Sequence, residues 1–530
     1  MSTEDQNKVV ITLHKGVNKD TFINWMIEQG YELKDSKPGS KRNIDFVMTL
    51  EQAEILKNDS RVLDTRFGSK AENNIFPTLA VLESNKTYDK TSTVSRDVYN
   101  WAHVACTTNS DLFNNNLTNI TYQFPYSVDG TGIDIVIQDS GVEPFHPEFY
   151  DITGYRQRRK LIDWPSAAGL SGSYTQPTEH NRDINGHGTH VAGTAAGRLY
   201  GWAKNADIYA IKILDDPGQT FGVSASFNLI RGWHNLKTNN RPTVVNMSWG
   251  YFGNYADIAD GSYRGVGWGG NTMDATKGMI QMKSNEGFWT HPIRVASVDA
   301  DIEDCIDDGI ILIGAAGNGG HKIDVPSGAD YNNYFNSNSQ GNNRYYHRGS
   351  SPSSATGVIC VGNISHVYDS DGNGPKEPLF NSSEKGPRVD ISAPGGMITS
   401  IVPKTASLAA GGLPYPVGDI NWRHRDFDSD YTINKLSGTS MAAPQVTGIV
   451  ACALQANPYL DSDQELVKQW LIDNSEKNRL FDPTTGVPST DYSKFRALQG
   501  APNRYLKTPY TNSIPGNLSG GGFTNFNIKI

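Results

Sequence analysis

Five short stretches between residues 132 and 363 are almost wholly apolar and rich in β-branched side chains. They are GIDIVIQD (132–139), ADIYAIKIL (206–214), PTVVNMS (242–248), GIILIGAAG (309–317) and GVICVGN (357–363). None shows the apolar–polar alternation of a strand with one wet face. Strands that read this way are buried on both faces, as in a parallel sheet covered by helices. Helical patterns fall between them, at 188–198, about 224–236, about 299–308 and 439–456. The alternation predicts one α/β domain over 100–475, built on a doubly wound, mostly parallel sheet. Sites in such sheets form outside the carboxyl ends of the strands, which directs attention to where these runs stop.

The first 75 residues read differently. VVITLHK (9–15), DFVMTL (45–50) and RVLDTRF (61–67) are strand-like. Between them, Asn18 to Gln29 sets Phe22, Ile23, Met26 and Ile27 on one helical face, and EQAEILKND (51–59) can pack Ile55 and Leu56. The order β-α-β-α-β predicts a small ferredoxin-like α+β unit. A polar stretch over 76–99 reads as a linker, and 476–530 as a C-terminal extension whose last 30 residues carry little periodic signal. Three Gly/Asn/Tyr-rich stretches, at 251–292, 321–350 and 404–433, read as insertions into the larger domain.

Charge and composition narrow the function classes. The net charge is −9, with no basic stripe of the kind nucleic acid requires, so no nucleic-acid partner is expected. The longest apolar runs fall far short of the roughly 18 residues that span a bilayer, so no membrane partner is expected either. The start, MSTEDQNK, has no apolar signal region, and the four cysteines (Cys106, Cys305, Cys360, Cys452) are too few and dispersed for a disulfide framework. A cytoplasmic, intracellular location is the expectation.

Three segments carry chemistry-bearing residues. Asp139 ends the run GIDIVIQD, His187 opens the small-residue helix of NGHGTHVAGT (185–194), and Ser440 opens the helix of SGTSMAAPQVTGIVACAL (437–454). Each has an ordinary structural explanation: a turn aspartate, a buried histidine, a serine cap. His187 and His190 form an HxxH pair, but the glutamate of the HExxH zinc arrangement is missing. Chemically, an imidazole near neutrality suits a general base, and a serine at a helix N-terminus gains stabilisation for charge developing beside it. The order Asp, His, Ser is that of subtilisin, distinct from the orders of chymotrypsin and the α/β-hydrolases.

DSG (139–141), HGTHVAGT (187–194) and GTSMAAP (438–444) resemble the three signature blocks of the subtilisin-like serine proteases. The resemblance covers about 100–475. It implies a serine endopeptidase acting on protein or peptide substrates, with Ser440 as nucleophile, His187 as base then acid, and Asp139 orienting the imidazole. It implies that Asn318, in GIILIGAAGNGG (309–320), donates to the oxyanion, and that Ser248, Trp249 and Gly250 face Ala315, Ala316 and Gly317 across the substrate cleft. Trp249 stands where relatives carry a smaller aliphatic residue, so it is expected either to narrow a subsite or to pack in the core. The N-terminal unit resembles the family's inhibitory prodomain, implying a self-processed zymogen cut between about 68 and 100. No cofactor is required for catalysis. Structural calcium is a further question, since in relatives the acid after Pro in HPEF (146–149) helps bind it. Here Glu148 replaces the usual aspartate and GRLYGWAKNAD (197–207) lacks the Asn-rich insertion, so that site is expected to be absent. Asp369, Asp371 and Asn373 of DSDGNG are candidate calcium ligands or simply a polar turn. Two other readings of the same blocks stay open: a catalytically silent binding protein on this fold, and a subtilisin-like peptide ligase or macrocyclase.

Overall fold

The structure is a computed structural model. It describes residues 7–37, 39–67, 75–77, 100–107, 126–151, 155–162, 182–214, 222–255, 258–269, 289–337, 343–366, 369–370, 375–403, 431–482 and 498–510. The N-terminal unit runs β1 (Asn7–Leu13), α1 (Lys19–Glu28), β2 (Glu32–Asp35), β3 (Asn43–Met48), α2 (Leu50–Leu56) and β4 (Val62–Phe67). Its antiparallel sheet has the order β2-β3-β1-β4, the β-α-β-β-α-β arrangement. Strand β2 is the element the sequence reading lacked. Its residues ELKD are mostly exposed on a sheet edge, so no apolar run marks it. One face of the sheet gathers Val9, Ile11, Leu13, Phe46 and Met48 with Phe22, Ile23 and Met26 of α1 into a core of its own. Beyond it, β5 (Ile75–Pro77) stands apart from this sheet.

The central sheet comprises β6 (Asp134–Asp139), β7 (Arg159–Leu161), β8 (Asp207–Lys212), β9 (Thr243–Met247), β14 (Ile311–Ala315), β17 (Ile359–Ile364), β20 (Ile391–Pro394), β23 (Glu476–Lys477) and β24 (Arg504–Tyr505). Their spatial order is β23-β24-β20-β17-β14-β9-β6-β8-β7, and every neighbouring pair is parallel except β23 with β24. Successive side chains go to opposite cores. Ile135 and Ile137 of β6, Val244 of β9 and Ile311 and Ile313 of β14 join one, while Val136, Val245 and Leu312 join the other. That division is why the strands lack polar alternation. The first core is roofed by α4 (His187–Ala196) and α7 (Thr439–Ala456), the second by α5 (Val223–Leu236) and α6 (Ala296–Asp307). The described residues also hold the short α3 (Ala102–Ala105) and α8 (Gln464–Asn474).

Smaller sheets surround this core. β10 (Trp249–Tyr255) pairs on one side with β13 (Trp289–Pro292) and on the other with β5. β11 (Asp260–Tyr263), β12 (Val266–Gly269), β15 (Tyr334–Asn336) and β16 (Arg344–Tyr345) form a four-stranded sheet. The stretches 251–292 and 321–350 thus meet in one layer, where Tyr255, Ile258, Phe335 and Tyr346 share a core. β21 (Ile398–Pro403) pairs with β22 (Tyr431–Leu436), and β18 (Asp369–Ser370) with β19 (Pro375–Lys376). In the C-terminal extension, β23 and β24 add to the central sheet, so its layer reaches residue 505. Most of the linker 76–99, most of 404–433 and residues 511–530 lie outside the described residues.

Candidate active site

Strand β6 stops at Asp139, whose carboxylate is fully buried. Its Oδ1 accepts the Ser140 N–H at 2.7 Å and faces His187 Nδ1 at 2.7 Å. A hydrogen on Nδ1 satisfies that contact and leaves Nε2 as the basic nitrogen of the ring. The close approach depends on Gly188. A Cβ there would lie 2.0 Å from the Gly141 carbonyl oxygen, so any larger residue would push the start of α4 off the loop carrying Asp139.

Asp183 ties the same two segments together, and the sequence reading missed it. Its Oδ1 accepts from Gly186 N (2.7 Å) and Ser140 Oγ (3.0 Å), and its Oδ2 from Thr189 N (2.8 Å) and Thr189 Oγ1 (2.6 Å). Ser140 Oγ in turn accepts the Gly188 N–H at 2.9 Å. The carboxylate therefore caps the helix that begins at His187 while holding the loop of Asp139. Burial, with Asp139 nearby, pushes its pKa up to about 6 against the pull of these hydrogen bonds. The available signal was only an acid four residues ahead of a helix-opening histidine.

His190 does not join His187 in a metal site. Its Nε2 donates to the carbonyls of Ile398 (3.0 Å) and Asn434 (3.2 Å), fastening α4 to β21 and β22. Burial holds its pKa down at about 3, so the ring is a neutral donor.

Ser440 is the second residue of α7, where helix N–H groups have no intrahelical partner. Its Oγ donates to the Ser248 carbonyl at 3.0 Å, and Ser248 Oγ donates back to the Ser440 carbonyl at 3.0 Å. The second contact answers a local defect: Pro444, four residues on, has no N–H to give the Ser440 carbonyl. Asn246 Nδ2 and Thr447 Oγ1 extend the brace, the amide donating to Ser248 Oγ (2.8 Å) and accepting from Thr447 (2.9 Å). Helices α4 and α7 pack directly on one another, and Gly448 permits it, since a Cβ there would sit 2.4 Å from the Ala195 carbonyl.

Asn318 caps α7 from outside. Its Oδ1 accepts from Thr439 N (3.0 Å) and Thr439 Oγ1 (3.1 Å), which turns Nδ2 the other way, buried and with no hydrogen-bond partner. A buried amide left open beside a helix-borne serine is a donor waiting for an acceptor. Below this loop lies Glu384, fully buried against Gly317 and Gly319, and burial pushes its carboxyl well above the usual range. Nothing in the sequence pointed to it.

The expected cleft residues divide in two. Ala315 ends β14, Ala316 and Gly317 continue from it toward Asn318, and Ser248 leads into β10. Trp249 takes the core-packing role rather than that of a subsite wall. Its side chain is fully buried with Phe227 and Tyr251, and its indole N–H donates to Gln138 Oε1 at 3.0 Å. Strand alternation sends Trp249 and Tyr251 into the core together and leaves Gly250 on the opposite face. Along β10 runs β5, antiparallel, with Ile75 opposite Tyr251, Phe76 opposite Gly250 and Pro77 opposite Trp249.

Asp369 lies in β18, whereas Asp371 and Asn373 fall outside the described residues. Among the described residues no three His, Cys, Asp or Glu side chains are grouped to share a metal. All four cysteines are unlinked and buried.

The profile of the subtilase family matches residues 130–500. Alkaline serine exoprotease A of Vibrio alginolyticus is 25% identical over 369 residues, covering 69% of this chain and 46% of that protein. Subtilisin-like protease 1 of Pseudogymnoascus destructans is 29% identical over 322 residues, covering 61% and 52%. The chain thus spans about half the length of these curated relatives. The crystal structure of fervidolysin from Fervidobacterium pennivorans aligns with a TM-score of 0.49 at 17% identity, over 95% of this chain and 60% of that one.

Proposed function

The chain belongs to the subtilase family, and on that premise we propose that it is a serine endopeptidase, made as a zymogen that cuts itself. Ser440 Oγ attacks the scissile carbonyl while His187 Nε2 takes its proton. Asp139, on Nδ1, holds the ring in that tautomer and stabilises the imidazolium. The carbonyl oxygen, now negative, receives the Asn318 Nδ2–H and the backbone N–H of Ser440. The imidazolium then protonates the leaving amine, and water hydrolyses the acyl-enzyme by the same steps. The observation that carries this reading is the open, buried Asn318 amide, oriented by the residue beside Ser440. A protein using this pocket only for packing would gain by satisfying that group.

Self-processing is supported by β5. Its three residues lie along β10 as an extended peptide lies along a sheet edge. The chain there runs from Tyr251 toward Ser248, whose carbonyl receives the Ser440 hydroxyl. The last described residue of β5, Pro77, lies opposite Trp249, the neighbour of Ser248. We therefore place the first cut between Thr78 and Leu79, within the range expected from sequence. In this reading the N-terminal unit is the chain's own inhibitor until the cut is made.

Intact-mass analysis of the wild type beside Ser440→Ala tests both statements. The expected result is a wild-type fragment beginning at Leu79 and a variant that stays at 58.1 kDa. A new N-terminus away from Pro77 would overturn the register argument. An uncut wild type that also fails to react with a fluorophosphonate would overturn the enzyme itself.

A further inference from the structure

Glu148 is where the resemblance places a calcium ligand in relatives, and its surroundings say what holds that turn here. The segment from Glu148 to Tyr150, the end of α4 and the start of β8 converge, and their carbonyl oxygens point inward. One guanidinium collects them. Arg158, fully buried, donates through Nη2 to the carbonyls of Glu148 (2.8 Å) and Ala196 (2.9 Å), through Nη1 to that of Ala206 (2.9 Å), and through Nε to that of Tyr150 (3.3 Å). A second cation closes the turn that follows α4. Lys204 Nζ donates to the carbonyls of Arg198 (3.0 Å) and Gly201 (2.8 Å). The Glu148 carboxylate, also fully buried, accepts the Leu199 N–H at 2.7 Å and interacts electrostatically with both Arg158 and Lys204.

A carboxylate amid several converging carbonyls is the donor set of a hard divalent cation, which takes six to eight oxygens at about 2.3–2.6 Å. Here those oxygens are committed to N–H donors at hydrogen-bond distances. A calcium ion would have to expel a buried guanidinium and leave it unpaired, which is costly in a dry interior. The residues present do not fit the metal. We propose that Arg158 and Lys204 act as two fixed, covalently attached cations in place of a divalent ion. They fasten the Glu148 turn to the end of α4 and make this part of the fold independent of calcium. The inference concerns stability alone and stands whether or not Ser440 turns over peptide.

Thermal unfolding of the full chain as Ser440→Ala, which prevents self-digestion, tests it. Millimolar EDTA and millimolar calcium should leave Tm within about 1 °C of each other, since a ligand that does not bind the folded state cannot shift it. Arg158→Leu should lower Tm by at least about 5 °C, because it strands Glu148 and its carbonyls. Should that variant fail to fold, Lys204→Met, which is nearer the surface, should show a smaller drop of the same sign. An EDTA-induced fall in Tm that disappears in Glu148→Gln would overturn the proposal, as would an Arg158→Leu variant as stable as its parent. A fall that persists undiminished in Glu148→Gln would assign the metal to another part of the chain and leave this pocket metal-free, as proposed.

Discussion

Asp183 touches neither Ser440 nor the cleft, yet four hydrogen bonds converge on its carboxylate from the two loops that carry Asp139 and His187. Those bonds need the ionised form, and burial brings its pKa to about 6, within reach of an assay. Falling pH protonates Asp183 there, and it also protonates an imidazole that must be neutral to act as a base. The acid limb of kcat/KM should therefore be steeper than one proton allows. In Asp183→Asn the limb should return to a one-proton slope, with kcat lower by about 10–100-fold from misplacement of the imidazole and KM little changed. A two-proton limb that survives the substitution would remove Asp183 from this role. At this scale the sequence was most legible where a residue's chemistry is rare: Asp139, His187 and Ser440 each stood at an element boundary. It was least legible where a common residue acts through its neighbours. Trp249 looked like a wall because only the strand's facing decides whether its indole meets substrate or core. Glu384 is one acid among many until the fold buries it.

Helix α7 illustrates how an element is set by its contacts more than by its propensity. Proline at its sixth position would ordinarily break the helix, and Ser248 supplies the donor that the Ser440 carbonyl loses. The helix can then lie against α4 closely enough that one hydrogen of Gly448 fills the gap. Gly448→Ala should drive these helices apart, costing about 1–3 kcal/mol, readable as a lower Tm. It should also lower kcat, because α4 carries His187 at its start. A variant with unchanged Tm and kcat would mean the interface yields more easily than its geometry suggests. The strands of the central sheet were visible in sequence because burial on both faces removes polar residues from them. Elements with a wet face or only two residues, such as β2, β23 and β24, left no such mark. That the insertions at 251–292 and 321–350 pair with each other was not visible in sequence, because strand pairing between distant segments, as in β11 with β15, has no local signature.

At the scale of the whole molecule, the N-terminal sheet docks on α5 and α6 through polar groups. Arg42 meets Glu303, Asp304 and the Ala300 carbonyl, Lys41 meets Asp308, and Arg231 donates to the Gly39 carbonyl. At the centre, Asp301 accepts from Ser40 Oγ (2.9 Å) and Asn43 Nδ2 (3.0 Å). Burial pushes the Asp301 carboxyl up to about 6, above its ordinary 3.8, with Lys37 and the hydroxyl donors pulling the other way. The docked form thus holds a proton that a solvated Asp301 releases between about pH 4 and 6. Docking is strongest below that window and weakens as pH rises through 6, by up to about 100-fold. Gel filtration of the cut protein at pH 5 and 7 should show more of the N-terminal unit retained at pH 5. Asp301→Asn should flatten the difference, and a wild type indifferent to pH would refute this assignment.

If the chain cuts itself as proposed, the pairing of β5 with β10 has a consequence for how it is switched on. While the chain is whole, the strand is a tethered ligand whose local concentration is fixed by the length of the connection and is the same in any volume. Once the connection is severed, strand and groove become two solutes under mass action, and the share of open grooves depends on how much protein surrounds them. Latency before the cut is a property of one molecule, whereas latency after it belongs to the population. A dilute compartment and a crowded one would then hold the same cleaved protein in different states.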